Sequence, residues 1–123
     1  MRYMCLVKGP EIPMDKVPPA LMQAIGALTA ESMQSGEFVL AGGLEPTAKG
    51  TAISIRNGKL VVTDGPFTEA KEVVGGFAIF NYPSRDVAIQ RAKRFMELHI
   101  KHWPGWEGTC EVRPMMADPG APK

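Results

Sequence analysis

The stretch Gly76–His102, GFAIFNYPSRDVAIQRAKRFMELHIKH, decides the fold. From Gly76 to Tyr82 the chain alternates with apolar residues on both sides, Phe77 and Ile79 against Ala78 and Phe80. That pattern predicts a strand buried on two faces. Pro83 ends it, and Ser84 is a natural N-cap with Asp86 in the positively charged first turn of the helix that follows. Ala88, Ala92, Phe95 and His99 fall on one stripe of that helix, flanked by Val87 and Met96. Pro104 and Gly105 stop it shortly after His102. A helix apolar along one stripe covers only one face of a strand apolar on both, so the second face needs another cover.

Outward from this unit, the N-terminal half repeats the plan. Arg2–Val7 reads as a strand that sets Tyr3, Cys5 and Val7 against Met4 and Leu6. A loop over Lys8–Val17 leads to Pro18-Pro19, which suits a helix start because the first turn needs no proline N–H. From Ala20 to Ser35, Leu21, Met22, Ile25, Leu28 and Met33 recur at helical spacing, and Gly36 is a natural stop. Phe38–Leu44 follows as a strand ended by Glu45-Pro46. Thr51–Arg56 alternates Ile53 and Ile55 with polar residues and is expected as a half-buried strand. Asn57-Gly58 then predicts a type I′ turn that pairs it with Lys59–Thr63. Thr109–Arg113 is the last strand. The fold class is therefore α+β, a ferredoxin-like βαββαβ plan with an extra β-hairpin and both helices on one face. Covering the other face calls for a homodimer packed sheet to sheet.

Composition bounds the function classes. The 123 residues carry 14 Lys+Arg against 13 Asp+Glu, a net charge of +1, with 45% apolar and 22% charged residues. A chain of this size buries roughly two-thirds of its unfolded surface, enough for a core without metal or disulfide staples. The near-zero charge argues against a nucleic-acid partner held by phosphate contacts. No apolar run approaches the roughly 20 residues of a bilayer span, so no membrane role is expected. The opening MRYMCLVKGPEIP turns polar too soon for a signal peptide, and the expected location is cytoplasmic. Cys5 and Cys110 lack any metal or disulfide spacing and read as buried, inert packing.

One segment stands apart: Asp64–Glu72, DGPFTEAKE, followed by Val73-Val74-Gly75-Gly76-Phe77. Asp64 before Gly65-Pro66 is a turn starter. Phe67 can anchor the loop, and Glu69, Lys71 and Glu72 crowd three charges together. This string, with Gly75-Gly76-Phe77 and Glu111-Val112-Arg113-Pro114, resembles the YCII-related proteins of the DGPF-domain type. Met1-Arg2-Tyr3-Met4 and Ala41-Gly42-Gly43-Leu44 resemble them as well. The resemblance spans residues 1–115 as one domain, leaving 116–123 as a loose tail. It implies a dimeric α/β-barrel built from two ferredoxin-like subunits. It does not fix an activity: a His and an Asp in a cleft suggest an enzyme for some members, and others lie beside or are fused to extracytoplasmic-function sigma factors. This chain has no histidine in its first half, so no catalytic pair carries over, and Asp64 carries over only as the motif's Asp.

The candidate site residues each have a structural and a functional reading. Asp64 is a turn cap first and a ligand or proton-transfer carboxylate second. Glu69, Lys71 and Glu72 form a solvated turn, or rim a pocket in which Lys71 takes an anion and a glutamate acts as base. His99 is a packed helix-end residue or an acid–base group. His102, Trp103 and Trp106 form a packed loop, a dimer contact or an aromatic wall for a small ligand. No ligand set for a metal assembles around the histidines, and no nucleotide or hydrolase motif is present, so no metal or cofactor is expected. The expectation is a small-molecule-binding dimer whose cleft lies between sheet and helices, near the DGPF loop and the His99–Trp106 segment, with acid–base chemistry as the reaction class if it is an enzyme. The alternative is a non-catalytic interaction or regulatory module linked to a sigma factor.

Overall fold

The computed structural model describes residues 1–67 and 72–117. The strand that opens the chain, β1 (Arg2–Gly9), leads through a short 3₁₀ turn to helix α1 (Pro19–Ser35). Pro19 sits in the first turn of α1, and Gly36 closes it at φ 80°, a left-handed conformation that costs glycine nothing. β2 (Phe38–Gly43) follows, then the hairpin strands β3 (Thr51–Arg56) and β4 (Lys59–Asp64). Asn57 and Gly58 turn between them at φ 52° and 75°, the paired positive angles of the type I′ turn predicted for Asn-Gly. β5 (Val73–Asn81), α2 (Arg85–His102) and β6 (Thr109–Pro114) complete the chain. The Ser84 hydroxyl accepts from the Val87 N–H and caps α2 as expected.

The main sheet is antiparallel in the order β2-β5-β1-β6. With the hairpin set aside, this is the ferredoxin-like strand order, in which the two βαβ halves interleave. Tyr3 and Tyr82 are buried beneath Ala88 of α2, with Phe80, Val87 and Val112 packed around them. Phe80 stacks on Tyr82 with ring centroids 5.2 Å apart. Both helices therefore lie over the face that carries Tyr3, Cys5, Ala78 and Phe80. The register sets Leu6 opposite Phe77 and Met4 opposite Ile79 on the other face. There Phe77 lies against Gly42, where a Cβ would meet the ring at 3.0 Å.

The hairpin departs from expectation. β3 and β4 pair only with each other, as a separate two-stranded sheet. The face expected to be buried is the open one: Ile53, Ile55, Leu60 and Val62 are 65–77% exposed. Ala52 and Ser54, on the opposite face, are half-buried. The alternation holds but its direction is reversed, because no element of the described residues packs on the isoleucine face. β5 also starts three residues before Gly76, at Val73.

Candidate functional site

A cavity of about 310 Å³ lies between the two helices and the sheet. Alternation along the strands builds its floor from Cys5, Ala78, Phe80 and Cys110, and the apolar stripes of the helices build its roof from Ile25, Leu28 and Phe95. Cys5 and Cys110 come from opposite ends of the chain and meet because β1 pairs with β6, Cys5 opposite Val112 and Val7 opposite Cys110. The neighbouring Cys110 thiol, reinforced by burial, pushes the Cys5 thiol up and keeps it protonated.

Two ion pairs form the rim. The Arg94 guanidinium donates to both Glu31 carboxylate oxygens at 2.7 and 2.8 Å, tying α2 to α1. Arg91 reaches both oxygens of Glu37 at 3.3 Å. The Arg94 contact holds the Glu31 carboxyl below its usual range and in turn raises the guanidinium. Thr29, Ser32 and Ser35 also line the cavity, but their hydroxyls donate to the α1 carbonyls of Ile25, Thr29 and Ser32 at 2.8–3.1 Å. Tyr82 is different: it lines the cavity and is 4% exposed, but its hydroxyl makes no hydrogen bond among the described residues and is open to solvent. Burial, then the nearby thiol of Cys5, pushes its pKa up, so it is a neutral phenol.

The residues singled out from the sequence fall into two other groups. Asp64, at the end of β4, is exposed, and its carboxylate accepts from the Thr51 hydroxyl at 3.1 Å across the hairpin. The Gly65 N–H donates to the Gly50 carbonyl at 2.9 Å, and the Phe67 ring lies against Gly50. Glu72 is exposed just before β5, while Glu69 and Lys71 lie outside the described residues, as does most of the 116–123 tail. The second group is aromatic. His99 is 6% exposed and sits between Phe95 and Trp106, with ring centroids 4.8 and 4.7 Å away. Its Nδ1–H donates to the Phe95 carbonyl at 3.1 Å, while burial lowers its pKa. Trp103 stacks on Trp106 at 5.8 Å, and His102 is half-buried nearby in sequence. The Trp106 ring seats on Gly9 and Gly108, where added Cβ atoms would lie 3.1 and 2.3 Å from it.

None of the described members of these two groups lines the cavity. The lining comes instead from residues that carry no local sequence motif. Arg91 and Arg94 each neighbour the Ala88–Ala92–Phe95 stripe of α2 in the sequence. The meeting of Cys5 with Cys110 needed the β1–β6 register. Among the described residues no cluster of three or more His, Cys, Asp or Glu could hold a metal. No helix there is long and apolar enough to cross a membrane.

With this geometry in place, comparison with known sequences is informative. A family model described as the YCII-related domain matches residues 1–98. The chain belongs to the YCII-related family. The match takes in β1 through most of α2, and so all of the cavity except the contribution of β6. Within the curated proteins, this YCII-related chain is 27% identical over 95 residues to a protein of Rhizobium meliloti (strain 1021) described as uncharacterized. That alignment covers 77% of this chain and 73% of the relative.

Proposed function

We propose that this YCII-related chain binds a small organic molecule in the cavity between its helices and sheet, and that it works as a homodimer. The observation that carries the binding reading is the cavity itself. About 310 Å³ of apolar-floored space is at the lower end of the range that small-molecule sites occupy. A chain of this length has no stability reason to keep such a volume unfilled, because cavities in packed cores are destabilising. The lining favours binding over acid–base chemistry: both rim carboxylates are ion-paired, and Asp64 and His99 lie elsewhere.

The homodimer rests on two apolar surfaces of the described chain. Met4, Leu6, Phe77 and Ile79 are only half-buried on the face opposite the helices, and Leu40 beside them is 52% exposed. The quartet Ile53, Ile55, Leu60 and Val62 faces outward on the hairpin. A second copy covers both surfaces by symmetry.

A thermal-shift screen of small organic compounds on the wild type and on Ala92→Leu, which fills the cavity from α2, tests the binding reading. A ligand at a hundredfold excess over its Kd stabilises by about 2.7 kcal/mol. Compounds that shift the wild type and leave Ala92→Leu unmoved support it. A screen with no wild-type hits, or with equal shifts in both proteins, overturns it.

A further inference from the structure

The charge pattern of the cavity selects what it can hold. Its charged side chains are Glu31, Glu37, Arg91 and Arg94, and each is matched to a partner of opposite sign. A charged ligand finds no unpaired opposite charge there: an anion would sit beside glutamates that already balance the arginines, and a cation beside arginines that already balance the glutamates. Entering the cavity also strips water from the incoming charge, which an apolar floor does not replace. The hydroxyls of α1 have already given their protons to helix carbonyls. Of the hydroxyls in the lining, only that of Tyr82 donates to no acceptor among the described residues. It lies within electrostatic reach of the two thiols on the floor and of Arg91 and Glu37 on the rim. Phe80, Tyr82 and Phe95 add aromatic surface.

We propose that the cavity takes an uncharged, mostly apolar molecule of one or two rings bearing a single hydrogen-bond acceptor, such as a ketone carbonyl, which the Tyr82 hydroxyl meets. This inference rests on the binding reading above and adds the ligand's chemistry to it. The ring count follows from the volume. A cavity of about 310 Å³ accommodates a fused bicycle with room to spare.

Three probes of nearly equal size test it by equilibrium dialysis: 1-tetralone, tetralin and 1-naphthoate. The expected result is that 1-naphthoate binds the wild type at least tenfold more weakly than 1-tetralone. Tyr82→Phe should weaken 1-tetralone about fivefold, the worth of one neutral hydrogen bond, and change tetralin by less than twofold. Naphthoate binding as tightly as tetralone overturns the inference, as does a folded Tyr82→Phe protein that keeps full affinity for tetralone. The naphthoate comparison uses the wild type alone, so it decides the matter even if the variant does not fold. If all three probes bind equally, the cavity reading stands and the ligand class falls; if none binds, both fall.

Discussion

Gly65, the glycine of the DGPF string, is held against backbone. A Cβ built on it would lie 1.6 Å from the Thr47 carbonyl oxygen and 2.6 Å from its carbon. Neither atom can swing aside as a side chain would. Thr47 is itself fixed, because its N–H and hydroxyl both donate to the Glu11 carboxylate. Gly65→Ala must therefore push the loop away from the Thr47–Lys49 turn and strain or break the 2.9 Å bond from the Gly65 N–H to the Gly50 carbonyl. Overpacking of this kind costs about 1–3 kcal/mol, and a lost hydrogen bond adds about 1 kcal/mol. The total of about 2–4 kcal/mol corresponds to a fall in Tm of about 8–15 °C for a chain of this length. Gly26→Ala is the matched control: it sits in α1 with no atom within 4 Å of the added Cβ. Relief of the glycine penalty in a helix should raise Tm by about 2–4 °C. Thermal melts followed by circular dichroism read both. A Gly65→Ala protein melting within 2 °C of wild type would refute the claim that this glycine is required by close backbone approach.

Two further outcomes follow from exposure and burial. The hairpin quartet, about three-quarters exposed, would contribute about 4–8 kcal/mol per subunit if a second copy buried it. Ile53→Glu with Leu60→Glu should therefore halve the mass measured by light scattering at micromolar concentration, and an unchanged mass would count against that face as an interface. For His99, burial lowers the pKa below the unfolded value of 6.5. Above that pH both states are neutral and the group has no effect. As pH falls through 6.5 the unfolded chain takes up the proton first, so stability declines until the folded pKa is reached. Urea midpoints at pH 7.5 and 5.0 should drop more for the wild type than for His99→Gln, which can still donate to the Phe95 carbonyl but does not titrate; parallel drops would show that His99 is not the group responsible.

Much of the fold was legible because its signals are local. Pro19 and Gly36 bracket α1, Ser84 caps α2, and Asn57-Gly58 makes the hairpin turn, each through the backbone geometry of one or two residues. The alternation of Phe77 and Ile79 against Ala78 and Phe80 gave the two-faced sheet. The direction in which the hairpin's isoleucines face was not legible, since alternation names two faces and only packing says which is covered. The candidate site was less legible still. Charge density drew attention to Asp64–Glu72, yet Asp64 closes the hairpin through Thr51. His99 and the tryptophans form one group, with the Trp106 ring packed over Gly9 and Gly108. The cavity is made by contacts between residues far apart in the chain, Cys5 with Cys110 and Glu31 with Arg94, and no local pattern announces them.

Binding between the helices and the sheet is tested most directly by titrating the isotope-labelled protein with 1-tetralone and following amide chemical shifts. Saturable shifts are expected at Cys5, Ala78, Phe95 and Cys110, with Asp64 and Trp106 unmoved. Shifts confined to Asp64 and its neighbours, or to the His99–Trp106 group, would contradict it.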